Sequence, residues 1–588
     1  MLDDATIAHI RAARTLHGVP PEHHAVPVRN IRHLLSLHAS TTPDRAFLIH
    51  YDQAGNRDEW SYAQFNTRVH QAASYLYDDL GVRRGDRVAV FAYNHTDTVV
   101  VYFACWLIGA AVAPQNSAED NQRIAFILRN SEASICLVRA EFLERAEQII
   151  HGDGDDVGAL SAPNIRQIVQ MGGAPSDAYA HFDSEIAHRP DTFMSAPVAE
   201  RPTLEDEALL VYTSGTTGAP KGVVLMQYNL LIDAKGISQW QAISGGQRLM
   251  CVLPIHHVNG IVMTLMTPLY VGGSVVLTRQ FSPRHFWERI AREKVHMVST
   301  VPTLLQFALE FADQQAAVGA SIWGDGIEKS DLRHFRYVLC GAGTLPMSLV
   351  KAFEARFGIM ILHGYGLSET TCYSSHLPID LSWDEYHHWM FDYGYPSIGC
   401  AIEVNEMAIF DALGSGTPLA AGERGEICIR GHNVMKGYFK RPDANQETFR
   451  FDWFRSGDEG FYESDERGRK FFFITGRLKE LINRGGVKFS PFDIEEILLE
   501  IAGVKVGLAI GFKNAYYGEE VGAYVVLHEG IPPDADTILA HCRERLTFEK
   551  APKIVVFGTD IPVTSTGKYQ RLMLRDRFEA WEHIQFKK

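Results

Sequence analysis

Thr213-Ser214-Gly215-Thr216-Thr217-Gly218-Ala219-Pro220-Lys221-Gly222 is the stretch from which the rest of the chain can be read. The apolar run Ala208-Leu209-Leu210-Val211-Tyr212 leads into it, and Val223-Val224-Leu225-Met226 leaves it. Both runs read as short buried strands, so the ten residues form the turn between them. Three glycines let the backbone approach a ligand and adopt positive φ. Successive backbone N–H groups in such a turn make a nest for anions. Four hydroxyls add donors and Lys221 adds a positive charge, a chemistry that suits a polyphosphate. The pattern is not the Walker loop, because Pro220 precedes the lysine and Gly222 follows it.

A chain of 588 residues allows several domains and a large core. Hydrophobic content of 46% and charged content of 22% are those of an ordinary soluble globular protein. The net charge of −15 argues against a general nucleic-acid binder, which needs a basic face, but permits one local nucleotide site. The eight cysteines include no Cys-x-x-Cys pair, so reduced, partly buried thiols are expected rather than zinc or disulfides. The acidic start, Met1-Leu2-Asp3-Asp4, has no apolar core and is no signal peptide. The longest apolar run, 99–114, is too short to span a bilayer and reads as a buried helix. Phe586-Lys587-Lys588 makes no peroxisomal address. These features predict a cytoplasmic protein without a transmembrane segment.

Residues 1–30 have a mixed pattern and read as an N-terminal extension. Strands are expected at 46–49, 87–92, 135–138, 249–253, 274–278, 297–301, 336–340 and 359–362. Helices are expected near 31–40, 62–80, 97–108, 228–239, 283–293, 303–312 and 346–357, and residues 151–205 read mostly as loop. Apolar strands alternating with helices give an α/β fold of stacked, mostly parallel sheets. From about 395 to 475 short strands between Gly and Pro turns suggest a small antiparallel β unit. Beyond it, strands at 506–511, 521–527 and 553–557 with a helix at 536–546 suggest a compact α+β domain.

Gly364-Tyr365-Gly366-Leu367-Ser368-Glu369-Thr370 follows the strand at 359–362, and residues past the C-terminal end of a parallel strand are well placed to meet a ligand. Tyr365 can stack on a planar ring, and Glu369 can hold Mg²⁺, which takes oxygen ligands. A plain strand-to-helix turn with Ser368 or Thr370 as cap explains the same string. Asp458, within Trp453-Phe454-Arg455-Ser456-Gly457-Asp458-Glu459-Gly460, can accept from both ribose hydroxyls or sit in an ordinary hairpin. Between Glu369 and Ser397 the aromatics Trp383, Tyr386, Trp389, Phe391, Tyr393 and Tyr395 read as a satellite core under a long loop, or as a cap or partner surface.

With Gly341-Ala342-Gly343, the segment 476–496 and Pro562-Val563-Thr564-Ser565-Thr566-Gly567-Lys568, these strings stand in the order and spacing of the adenylate-forming superfamily. The chain resembles that family over residues 30–575, and most of all its stand-alone acyl-CoA synthetases, through Asn483-Arg484-Gly485-Gly486 and Gly437-Tyr438-Phe439. The resemblance implies an N-terminal domain at 31–475, a small mobile C-terminal lid domain at 479–588, and a hinge near Lys479. It implies that Thr213, Ser214, Gly215, Thr216, Thr217, Gly218 and Lys221 hold phosphates. Adenosine would then lie against Gly341, Ala342, Gly364, Tyr365, Gly366, Asp458 and Arg477, with Ser368 by the α-phosphate. Glu369 and Thr216 would bind Mg²⁺, Gly485-Gly486 would line the pantetheine channel, and Lys568 would reach in for adenylation. Pro254-Ile255-His256-His257-Val258-Asn259-Gly260 resembles the segment at the acyl pocket, with His257 at the recurrent histidine. The implied activity is ATP- and Mg²⁺-dependent formation of an acyl-adenylate with release of pyrophosphate, followed by a coenzyme A thioester. The alternative is transfer to a separate acyl carrier protein, although no carrier domain follows Lys568 here. Asn259, Gly260 and Met263, with Gly341 and Gly364 leaving volume, favour a fatty or aryl acid.

Overall fold

The structure, a computed structural model, describes residues 2–152, 161–193, 200–213, 220–412, 414–563 and 569–587. The runs that flank the opening stretch are strands Glu207–Thr213 and Lys221–Met226, paired antiparallel with Thr213 opposite Lys221. This hairpin lies in an eight-stranded sheet, between the short strand Gly437–Tyr438 on one side and Ala111–Gln115 on the other. Arg87–Phe91, Ile135–Arg139 and Gln167–Met171 continue that sheet in parallel.

A second sheet has thirteen strands. Its parallel half runs from Ala46–Tyr51 through Ser274–Thr278, Arg248–Cys251, Met297–Thr300 and Tyr337–Cys340 to Ile361–Tyr365. The short strand Ser375–His376 then pairs antiparallel with Ile361–Tyr365, and Ser397–Ala401 continues from it. Through these two strands the antiparallel unit (Asn405–Phe410, Gly425–Gly431, Phe454–Ser464, Lys470–Arg477) joins the large sheet edge to edge. The backbone that leaves the parallel half at Tyr365 therefore meets the antiparallel strands that carry Asp458 and Arg477.

Helix Thr96–Ile108 is buried along its whole length and joins the two sheets. Just before it, Asn94 donates to the carbonyls of Leu253 and Thr278 beside the large sheet. Near its end Trp106 donates to the Ala208 carbonyl of the other sheet. The apolar run expected as one helix is split by Gly109, which ends the helix at φ 91° and starts the strand Ala111–Gln115.

Residues 1–30 are more ordered than their mixed pattern suggests. Helix Asp4–Ala13 is capped by Asp3, whose side chain accepts from the Thr6 N–H, and His9 reaches Asp452 at 2.8 Å. The following chain is pinned by the Val19 carbonyl on His432 Nε2 (3.0 Å) and by the Tyr228 hydroxyl, which bonds the Ala25 N–H and His432 Nδ1. The described part of 151–205, read as loop, carries strand Gln167–Met171 and helix Phe182–Ile186.

The aromatic segment forms helix Trp383–Phe391, opened by a Ser382–Glu385 capping box. Trp389 stacks on Phe471 with ring centres 3.8 Å apart, and Tyr393 lies parallel to Trp389. Trp389 and Tyr393 pack on the antiparallel unit, and Tyr386, Trp389 and Tyr395 belong to the main apolar core rather than to a satellite one.

The C-terminal strands Ile482–Arg484, Val487–Phe489, Val504–Asn514, Gly518–Leu527 and Ile554–Phe557 form a five-stranded sheet with helices Phe492–Leu499 and Ala535–Arg545. This unit docks on the rest of the chain at several points. Phe492 joins the main apolar core, Asp493 meets the Tyr395 hydroxyl, and Lys505 pairs with Glu310 at 3.0 Å. Glu496 accepts from the Met347 N–H at the start of helix Met347–Phe357, and burial pushes its carboxyl from 4.5 up to about 7. A carboxyl raised by docking favours the docked arrangement below its undocked value, and that benefit is lost as pH rises toward 7. Docking is thus expected to weaken between about pH 4.5 and pH 7. Glu496→Gln, which mimics the protonated group, should flatten the dependence. Interdomain energy transfer recorded against pH checks this, and an unchanged profile in the variant would remove Glu496 from the contact.

Candidate active site

Tyr365 ends the strand Ile361–Tyr365 and is buried, with its hydroxyl donating to Asp458 Oδ2 at 2.8 Å. Asp458 stands opposite Arg477 in the antiparallel ladder, and Arg477 Nε lies 3.3 Å from Asp458 Oδ1. The guanidinium gains mainly from this carboxylate, which holds its pKa above the ordinary value. Sequence positions 365, 458 and 477 thus meet in one cluster, with Tyr365 and Asp458 buried and Arg477 partly exposed.

The turn after Tyr365 is unusually tight. Ser368–Thr370 makes a single short helical turn, and Thr371 then takes φ 69°, ψ −58°. This is the rarer γ-turn, closed by a Cys372 N–H to Thr370 carbonyl bond of 2.8 Å. The turn is held by the Thr371 hydroxyl on the Asn433 carbonyl (2.6 Å). It also brings the Cys372 carbonyl against Gly366, where an added Cβ would lie 1.7 Å from that oxygen. Ala342, in the neighbouring strand-end turn after Tyr337–Cys340, also has positive φ, 64°. Strain of this kind collects where a site over-determines its backbone.

Glu369 is half-buried on the short helical turn, and its Oε1 accepts from the Tyr438 hydroxyl at 2.9 Å. The ring of Tyr438 lies 4.8 Å beneath Lys221 Nζ. Burial pulls the Lys221 ammonium down from its ordinary value, and the charges of Lys479 and Arg441 add to this, so Lys479 stands close enough to act on Lys221. Tyr438 was quoted in the sequence only as part of a family-like string; its place between Lys221 and Glu369 comes from the pairing of Gly437–Tyr438 with Lys221–Met226. No sequence spacing signals that contact.

Pro254 to Gly260 leads into a widened helix, Asn259–Met266, in which the Thr267 N–H reaches the Val262 carbonyl five residues back. The rings of His256 and His257 lie 4.4 Å apart, and among the described residues no cluster of His, Cys, Asp or Glu is fit to hold a metal by itself. Gly485 and Gly486 form the exposed tip of the hairpin Ile482–Arg484/Val487–Phe489, with the Gly485 N–H on the Tyr517 carbonyl. Ser214, Gly215, Thr216, Thr217, Gly218 and Lys568 lie outside the described residues; Thr213 and Pro220 border the first of these segments, and the paired Val563 and Tyr569 border the second. All eight cysteines are free and buried.

Residues 35–439 match the family model described as AMP-binding enzyme, and residues 493–568 match its C-terminal domain. The chain belongs to the AMP-binding enzyme family. Sulfoacetate–CoA ligase of Cupriavidus necator is 31% identical to this AMP-binding enzyme over 92% of this chain and 96% of the relative. Oxalate–CoA ligase of Arabidopsis thaliana is 31% identical over 93% and 98% of the two chains, and a feruloyl-CoA synthase of Amycolatopsis is 31% identical over 88% and 94%. The crystal structure of ATP-bound MatB from Rhodopseudomonas palustris superposes with a TM-score of 0.77, at 26% identity, over 94% of this chain and 99% of that one. The expected α/β fold, with a large N-terminal domain and a smaller C-terminal one, is the fold of these enzymes. The AMP-binding enzyme is an AMP-forming acid–thiol ligase.

Proposed function

We propose that this AMP-binding enzyme joins a small carboxylic acid to coenzyme A in two half-reactions. The observation that supports this most is the convergence of Tyr365, Asp458 and Arg477 with the adjoining Glu369–Tyr438–Lys221 set. One group suits adenosine and the other its phosphates. In the first half-reaction the acid's carboxylate attacks the α-phosphorus of ATP and pyrophosphate leaves. Asp458 accepts from the ribose hydroxyls, Arg477 sets Asp458 and adds positive charge, and Tyr365 with Gly341, Ala342, Gly364 and Gly366 borders the adenine. Thr213, Lys221 and the intervening loop hold the leaving phosphates, Ser368 lies beside the α-phosphate, and Lys568 neutralises charge on the transferring group. His257 stands at the acyl side.

The donor set fits Mg²⁺. That ion keeps several waters, binds substrate phosphates and needs only one or two protein carboxylates or hydroxyls. Glu369, oriented by the Tyr438 hydroxyl, supplies the carboxylate, and Thr216 a hydroxyl. When bound, the ion offsets charge on the phosphates. Glu369→Gln is expected to raise the magnesium needed for half-maximal pyrophosphate release by about tenfold. An unchanged titration would remove Glu369 from the metal site.

For the second half-reaction the C-terminal domain, 479–588, would turn about Lys479, withdrawing Lys568 and presenting Gly485-Gly486 to the thiol. The location proposed is cytoplasmic, supported by eight unpaired thiols, which suit a reducing compartment. Among the described residues no helix is long and apolar enough to cross a membrane. The test is a two-stage assay. Acid, ATP and Mg²⁺ should release pyrophosphate, and a thioester should appear only when coenzyme A is added. Formation of ADP, or a holo-carrier protein outcompeting coenzyme A, would overturn this assignment.

A further inference from the structure

The space that Gly341 and Gly364 leave on the strand ends is filled from within the chain. A Cβ on Gly341 would lie 2.9 Å from the Tyr373 hydroxyl, and one on Gly364 would lie 2.5 Å from His376 Nδ1 and 2.9 Å from the Tyr373 ring. His376 stands opposite Gly364 in the ladder between Ile361–Tyr365 and Ser375–His376, so its ring covers that glycine. Tyr373 and His376 pack with ring centres 4.1 Å apart. Together they close the floor of the region onto which the Pro254–Gly260 segment and the adenosine residues converge.

That floor is polar and rigid. Both backbone groups of Tyr373 are held: Asp233 Oδ2 accepts from its N–H (3.2 Å) and Asn433 Nδ2 donates to its carbonyl (3.1 Å). Its hydroxyl accepts from Asn259 Nδ2 at 3.1 Å and lies 3.3 Å from Ser299 Oγ. His376 is fully buried, yet neither ring nitrogen has a hydrogen-bond partner among the described residues, and neither has Asn259 Oδ1. A buried donor or acceptor left unpaired bears its full desolvation cost, so such atoms mark groups that await a partner. Burial lowers the His376 pKa to about 3, which keeps the ring neutral, with one donor and one acceptor nitrogen. None of these side chains is a lysine or arginine that would hold a second anionic group.

Building on the acyl-site reading above, we propose that the acid activated here is short and carries an uncharged hydroxyl beyond its carboxylate, received by His376, Tyr373 and Asn259. A hydroxyl can donate and accept at once, as the neutral imidazole and the Asn259 carbonyl oxygen require. A long alkyl chain or an extended ring would meet Tyr373 and leave these atoms unpaired.

Acyl sulfamoyl-adenosines, stable mimics of the acyl-adenylate, test this by calorimetry on the full chain. The 4-hydroxybutanoyl compound should bind at least ~100-fold more tightly than the pentanoyl compound, its methyl isostere, because a site built to hydrogen-bond rejects the analogue that cannot. It should also exceed the succinyl and dodecanoyl compounds. Tyr373→Phe and His376→Leu should each narrow the gap between the hydroxyl and methyl pair, whereas His376→Gln, which keeps a donor and an acceptor, should preserve it. Equal or tighter binding of the pentanoyl or dodecanoyl compound would overturn the proposal and leave the adenylation site standing. Preference for the succinyl compound would overturn the uncharged group. Failure of every compound to bind would sink the adenylation reading and this one together.

Discussion

Lys568→Ala is expected to slow adenylation by about 100- to 1000-fold, the range lost when one preorganised donor is removed from a developing charge. Thioester formation from supplied acyl-adenylate should remain within a few-fold of the wild type. The asymmetry follows from charge. Attack on the α-phosphorus places negative charge on the transferring phosphoryl group and expels pyrophosphate, so a lysine there acts mainly in the transition state. Thiol attack on the acyl-adenylate has no such need. Single-turnover measurement of each half-reaction checks the split, and equal losses in both would show that Lys568 acts through folding or docking instead. Val563 and Tyr569, the described residues on either side of the segment that holds Lys568, pair with each other and give its flanks a fixed base. Three residues on from Lys568, Arg571 is buried between Glu480 and Glu495, which ties that base to the residue beside Lys479.

Gly366→Ala should be strongly damaging. The added methyl would lie 1.7 Å from the Cys372 carbonyl oxygen, and the obstacle is backbone rather than a side chain that can swing away. Relief requires opening the γ-turn at Thr371 or moving the turn that presents Tyr365 and Glu369. The expected cost is about 3 kcal/mol, the upper range for overpacking a core. A lowered Tm together with weakened ATP binding checks this. A variant of wild-type stability and ATP affinity would mean that the turn relaxes freely.

The repeating pattern of the fold was open to sequence reading, and its close contacts were not. Ser274–Thr278 is a strand over the residues expected, and Thr96–Ile108 and Gln227–Trp240 differ from expectation by only a residue or two at their ends. Continuous apolar runs in parallel strands carry that signal without help. Helix Asp4–Ala13 escaped because only Thr6, Ile10 and Ala13 are buried, too few to set a clear period. At the site, Tyr365, Asp458, Arg477 and Glu369 were nameable from local strings. That Tyr365 bonds Asp458, ninety-three positions away, depends on strand order. Tyr373 and His376 carry no local signal, and Tyr438 and Glu496 stand only inside longer strings, for the same reason: each meets partners that only the fold brings together. The volume credited to Gly341 and Gly364 is an instructive difference. Absent side chains do make room, but Tyr373 and His376 take it.

Phe492 carries a consequence for how the enzyme rests between turnovers. Its ring belongs to the main apolar core although it sits on the C-terminal unit, with 8% of its surface exposed. If that unit turns, the ring must be drawn into water, at a cost of about 2 kcal/mol for a side chain of this size. An imbalance of that magnitude keeps all but a few per cent of molecules in the arrangement seen here. On the rotation proposed above, ligand exchange would have to supply that difference, and the idle enzyme would rest with its C-terminal unit docked through Phe492.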